Sequence, residues 1–157
     1  MNLLKWNRIY ENNKRLDLIF LNKYSFDKNL YEKNYIELLV EIGEFINETK
    51  IFKYWSVKKA NKEKVLEEYA DVITMLLTFC GYNNLELNDF KIEKTNNILK
   101  SIIELYQEVC NYSKDNIIDI LKHVLIIGYS LDLNEEEIIE AINKKHKIIE
   151  ERLNSDY

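Results

Sequence analysis

The stretches ELLVEIGEFINE at residues 37–48 and LEEYADVITMLL at residues 66–77 decide how this chain is read. In the first, Glu41, Glu44 and Glu48 recur three or four positions apart; in the second, Glu68 and Asp71 do the same. On an α-helix that spacing turns side chains to one face. Both sets lie inside apolar helical patterns, Ile36, Leu39, Ile42, Phe45 and Ile46 in one, Leu66, Tyr69, Val72, Ile73, Leu76 and Leu77 in the other. Carboxylates crowded at the edge of a core repel one another, by about 4 kcal/mol per pair at ~4 Å and an effective dielectric near ~20. A cation held between the two helices would remove that cost. Hard oxygen ligands without Cys or His favour Mg²⁺, or Mn²⁺ in its place. Glu37, Glu63 and Glu67 read instead as parts of solvated helix faces.

Outward from these segments the chain looks helical throughout. It has 157 residues, 46% of them hydrophobic and 31% charged, the balance of one globular domain. Proline is absent and there are 3 glycines, so long helices meet few breakers. The pattern predicts an antiparallel bundle of five to six helices, an all-α fold in a single domain over residues 1–157. A first helix is expected over Leu3 to Lys23, with Leu4, Ile9, Leu16, Ile19 and Phe20 among its apolar positions, followed by a turn at NKYSFDKN (22–29). A second runs from Leu30 to Thr49, and KIFKYWSVKKAN (50–61) joins it to a third, capped by Asn61 and ending at Cys80 before Gly81. A fourth is expected from Phe90 to Asn111 and a fifth, capped near Ser113, from Asp115 to Tyr129. The last starts after Asn134, with Glu135, Glu136 and Glu137 in its electropositive first turn.

The net charge of −5 argues against a general nucleic-acid or anionic-membrane binder. A polyphosphate can still bind where a metal and a few cations are gathered. The opening MNLLKWNRIYENNKR has no apolar core of signal-peptide length, and the run VLIIGY at 124–129 is too short to span a bilayer. Cys80 and Cys110 stand apart, without CxxC spacing, and are expected as buried thiols in a reducing, cytoplasmic compartment.

Residues 38–77, from the first acidic segment through FKYWS (52–56) to the second, resemble the core signature of the dimeric all-α dUTPase family. That family belongs to the all-α nucleoside triphosphate pyrophosphatases, with the MazG-like proteins, which share the acids but typically lack the FKYW segment. The resemblance implies that Glu41, Glu44, Glu68 and Asp71 are Mg²⁺ ligands and that Glu48 is a further acid of the site. It also implies hydrolysis of dUTP to dUMP and pyrophosphate by a homodimer. At the carboxyl end, AINKKHKIIEERLNSDY (141–157) resembles the family's basic terminal helix. There Lys145 and Arg152, seven apart and on one helical face, would bind phosphate, and Tyr157 would match a family tyrosine. His146 and Ile149 stand where the family tends to carry Asn, and Leu153 where it has Gln. Near the amino end YENNKRLD (10–17) is similar to a segment that offers a Gln to the base, with Asn13 in its place.

The implied chemistry uses metal-held acids to neutralise the triphosphate and activate a water, with Glu44 or Glu48 as proton acceptor. Lys145, Arg152 and Lys53 would hold the departing pyrophosphate. Trp55 suits packing on the nucleoside or filling the core; Tyr54 is assigned to the core. Asn13 is the candidate reader of the base edge, or else a surface helix residue. His123 is expected at the core's edge and His146 in solvent. Two other readings stand beside dUTP hydrolysis. One is an all-α pyrophosphatase acting on dCTP or non-standard nucleotides. The other is a non-catalytic helical bundle whose acids recognise a partner.

Overall fold

The computed structural model describes residues 1–24 and 27–155, so the centre of the 22–29 turn and Tyr157 lie outside the described residues. Six helices follow one another: α1 (Leu3–Tyr24), α2 (Leu30–Thr49), α3 (Lys62–Tyr82), α4 (Ile98–Cys110), α5 (Ile117–Ser130) and α6 (Glu135–Asn154). The described residues contain no strand. The all-α bundle expected from the periodicity is therefore the fold.

Local chemistry sets several of the boundaries. Asn61 accepts hydrogen bonds from the backbone N–H groups of Glu63 and Lys64, so α3 begins where its cap predicts. Asn134 and Glu137 form a reciprocal capping box at the start of α6. Other boundaries correct the sequence reading. Helix α3 passes through Gly81 and stops at Asn83, while Gly81 gives room for the Lys14 side chain of α1. Helix α4 starts eight residues later than Phe90, because Asn97 caps it and Thr95 binds the Asn97 N–H in a local turn that competes with helix. Helix α5 begins at Ile117, since the Asn116 side chain accepts from Ser113 N–H and holds residues 113–116 in a turn.

Helix α3 is the axis of the molecule, with eleven buried residues, among them Tyr69, Ile73, Leu76, Leu77 and Phe79. It packs on α1, α2, α5 and α6, and α4 packs on α5. Helices α2 and α3 run in opposite directions, so that Glu37 and Glu41 face Asp71 while Glu48 faces Glu68. Helices α1 and α6 instead climb in step, through Trp6 to Glu135, Asn12 to His146 and Arg15 to Glu150. Tyr69 donates to the Val124 carbonyl at 2.9 Å and lies so close to Gly128 that any side chain there would collide with its ring.

Several apolar positions of the outer helices prove exposed: Leu4, Ile19 and Phe20 on α1 and Ile36 on α2. Cys80 is buried, but Cys110, at the end of α4, is exposed rather than buried. Among the described residues, no helix is long and apolar enough to cross a membrane.

Candidate active site

Because α2 and α3 pack against each other in opposite directions, successive acidic turns of one meet those of the other. Glu41, Glu44 and Glu68 each bring a carboxylate oxygen to within 4.8 Å of the others. Burial pushes the Glu41 carboxyl up to about 7, with the charges of Asp71 and Glu44 adding to it. Burial likewise raises Glu68, helped by Asp71, Glu44, Glu67 and Glu48. Glu41 Oε2 is buried without a hydrogen-bond partner. An unpartnered acceptor inside a low-dielectric pocket costs on the order of 1–3 kcal/mol. Three converging carboxylates and one orphaned oxygen fit a hard divalent cation, which takes oxygen ligands and compensates their charge.

Asp71 stands one turn beyond Glu68 but does not share that cluster. Its Oδ1 lies 2.5 Å from Lys145 Nζ of α6, with both side chains mostly buried. Burial raises the Asp71 carboxyl, and Lys145 and, more weakly, Arg152 oppose the rise. Glu48 lies one turn past Glu44, is half-buried and acts on Glu68 through its charge.

Beside the acids opens a cavity of about 340 Å³ between α1, α2, α3 and α6. Glu37, Glu41, Asp71, Lys145 and Arg152 line it together with apolar Leu16, Phe20, Met75, Ile149 and Leu153. Its remaining polar lining includes Asn13, Asp17, Asn34, Thr78 and Tyr82. The volume falls within the range of roughly 300–1,000 Å³ found for small-molecule sites. Lys145 and Arg152, implied by the resemblance of the terminal helix, therefore converge on the same space as Glu41 and Asp71.

Asn13 and His146 depart from their expected surroundings. Asn13 is 3% exposed and His146 2%, where a solvated histidine was expected. The parallel packing of α1 on α6 brings them together: His146 Nε2 lies 2.9 Å from Asn13 Oδ1, and His146 Nδ1 lies 3.0 Å from Asn12 Nδ2. Asn12 Nδ2 can only donate, so His146 carries its proton on Nε2 and donates to Asn13. Burial pushes the imidazole down to about 4, with the nearby Arg15 charge adding to it, which keeps it neutral. The Asn13 amide in turn donates to Asp17 Oδ2 at 3.1 Å and Thr78 Oγ1 at 3.0 Å. Thr78 lies 3.0 Å from Asp17 Oδ1 as donor to it. His123, expected at the core's edge, lies there between Ser101 and Glu108.

The aromatic connector does not join the cavity. Tyr54 is 95% exposed, which corrects its assignment to the core, and Trp55 is 64% exposed, packed on Phe52 and Tyr54. Residues 50–61 run from half-buried, at Lys50, Ile51 and Lys53, to exposed, and Lys53 Nζ sits 5.5 Å from the Phe52 ring. Neither Lys53 nor Trp55 lines the cavity. Asp17 and Thr78 went unnoticed in the sequence, though a signal existed. Asp17 follows Asn13 by four, and Thr74 and Thr78 are polar residues one turn apart within an apolar helix.

Compared with known families, the chain matches the family model described as dUTPase over residues 5–157. No curated protein matches it.

Proposed function

The chain belongs to the all-α dUTPase family, and on that premise we propose that it hydrolyses dUTP to dUMP and pyrophosphate with Mg²⁺ held by Glu41, Glu44, Glu68 and Asp71. Membership makes it a nucleoside triphosphate pyrophosphatase and sets aside the non-catalytic reading. The observation that carries the proposal is the meeting of Glu41, Glu44 and Glu68 within 4.8 Å, at the edge of a cavity that Lys145 and Arg152 also line.

A divalent cation in that cluster would offset phosphate charge and make an attacking water more acidic. The protein's own groups do the rest. Lys145 is held beside the site by Asp71 and would be free to pair with phosphate oxygens if Asp71 served as a cation ligand. Arg152 lines the same cavity and adds a planar, permanently charged fork suited to phosphate. Glu44, exposed, and Glu48, half-buried, face the solvent side of the cluster, where either accepts the proton of the attacking water. The water oxygen bonds to the α-phosphorus, the bond from that phosphorus to the α–β bridging oxygen breaks, and pyrophosphate leaves. Apolar Leu16, Met75 and Ile149 shield the nucleoside end from solvent.

Exposed apolar side chains on α2 (Ile36, Val40) and α4 (Leu99, Ile103) support a homodimer, and Trp55 would meet the nucleoside only from a second copy. A free nucleotide substrate and the acidic net charge support a cytoplasmic enzyme that binds neither nucleic acid nor membrane. A rival specificity, dCTP or a non-standard nucleotide, draws support from Asn13, whose polar atoms are committed to neighbours. Incubation with each deoxynucleoside triphosphate and Mg²⁺, with pyrophosphate detection, decides between them. The proposal expects dUTP to be the preferred substrate, and preference for dCTP would overturn it.

A further inference from the structure

The cavity's polar atoms are unevenly used. Asn13 spends its own on His146 behind the wall and on Asp17, Thr78 and the Thr74 carbonyl, so none is left to read a ligand. Asp17 differs. Its side chain lines the cavity, and each carboxylate oxygen takes one hydrogen bond from the wall, Oδ2 from Asn13 and Oδ1 from Thr78. A carboxylate has about four lone-pair sites, so capacity to accept remains on each oxygen. Asp17 is also placed at the right depth. Its partner Thr78 lies seven residues beyond Asp71 on α3, about 10 Å along the helix. That separation is the length of a nucleoside between the acids and the far end of the cavity.

We propose that Asp17 selects the base, its carboxylate accepting the N3–H of a uracil ring seated in this cavity. The inference rests on the nucleotide reading above and supplies the residue that Asn13 cannot be. An imide edge presents acceptor, donor and acceptor in sequence. Asp17 meets the central donor, and the Tyr82 hydroxyl proton and the second N–H of the Asn34 amide, whose first bonds the Tyr82 oxygen, are donors of the kind the two flanking carbonyls need. Cytosine presents a lone pair at N3, which would face a carboxylate lone pair and be repelled. Thymine carries the same imide, so Asp17 separates uracil from cytosine and not from thymine. His146, donating to Asn13 Oδ1, fixes the amide so that its nitrogen donates to Asp17 and to Thr78. That makes His146 a positioning residue for the selector.

Steady-state kinetics on dUTP and dCTP with Mg²⁺, for the wild type, Asp17→Asn and Thr78→Val, test the assignment. Loss of a hydrogen bond to a charged group predicts that Asp17→Asn lowers the preference for dUTP over dCTP at least about tenfold. The loss should fall on KM more than on kcat. Thr78→Val, which leaves Asp17 with one anchor, should lower the preference by less and in the same direction. Circular dichroism checks the fold, and if Asp17→Asn does not fold, Thr78→Val decides. An unchanged preference in folded variants overturns the role of Asp17 while leaving the enzyme reading intact. Failure of the wild type to cleave any nucleotide overturns the reading beneath it.

Discussion

Two polar clusters that reach the cavity from its opposite ends, through Glu41 and through Asp17, are built in opposite ways. At the α2–α3 end, Glu41, Glu44 and Glu68 converge, and Glu41 Oε2 has no partner at all. At the α1–α6 end, Asp17, Asn13, Thr78 and His146 bond one another in a chain. Burial raises the acids at both ends, Glu41 to about 7 and Asp17 to about 6. At Asp17 the hydrogen bonds from Thr78 and Asn13 oppose that rise, whereas at Glu41 neighbouring acids add to it. An end whose groups hold one another, with acceptor capacity left over at Asp17, is built to keep its shape around what it receives. An end that is incomplete is built to be finished by something positive.

The sharpest way to break this contrast is to neutralise each end in turn. Glu41→Gln should reduce turnover by roughly 10²–10³-fold or more, the scale seen when one preorganised electrostatic group is lost. Asp71→Asn should also abolish turnover while leaving the helical content intact. In the cation-free protein Glu41→Gln should not lower the melting temperature, because it removes repulsion rather than a contact. A marked fall in thermal stability would place Glu41 among the structural acids instead. His146→Leu should do the reverse. It leaves the Asn13 carbonyl unpartnered, so stability should drop by about 1–3 kcal/mol in denaturant unfolding, with the Mg²⁺-induced stabilisation retained.

A third test uses pH. The folded pKa of Glu41 is raised, so the native state holds a proton that the unfolded chain releases. The ion-free protein therefore loses stability as pH rises from the ordinary carboxylate range, 4.5, toward about 7. Below about pH 7 a cation must displace that proton. The rise in melting temperature on adding Mg²⁺ should thus be small near pH 5.5 and grow through pH 7, the sign expected for a ligand that needs the carboxylate. Taking the difference with and without Mg²⁺ cancels the opposing contributions of Asp17 and His146. The smallest effect belongs to an exposed pair far from both ends. Lys94→Ala, which breaks the 2.6 Å contact with Asp132, should change stability by no more than about 0.5 kcal/mol.

The legible parts of the molecule are those that local chemistry decides. The bounds of α2 follow from one uninterrupted apolar stripe, and the starts of α3 and α6 from Asn61 and Asn134 as caps. The acids were readable because helical spacing alone puts Glu41 beside Glu44 and Glu68 beside Asp71, leaving only the pairing of adjacent helices to be supplied. Lys145 and Arg152 were legible only through the resemblance of the terminal helix, their spacing adding that they share one face. What was hidden depends on which helices meet. Nothing local to His146 says that α1 runs parallel beside α6 and buries the ring against Asn13. Equally, nothing in the run Phe52, Tyr54, Trp55 says that these rings pack on one another at the surface instead of entering the core. Helix α4 misled for another reason, since Phe90 and Ile92 pack against the core from a non-helical segment that mimics a helix's apolar positions.

The central claim is that the α2–α3 end is completed by a divalent cation, and calorimetric titration of Mn²⁺ into the nucleotide-free protein tests it most directly. The account predicts saturable binding in the wild type that is lost in Glu68→Gln and kept in His146→Leu. Equal binding in the wild type and Glu68→Gln would contradict it.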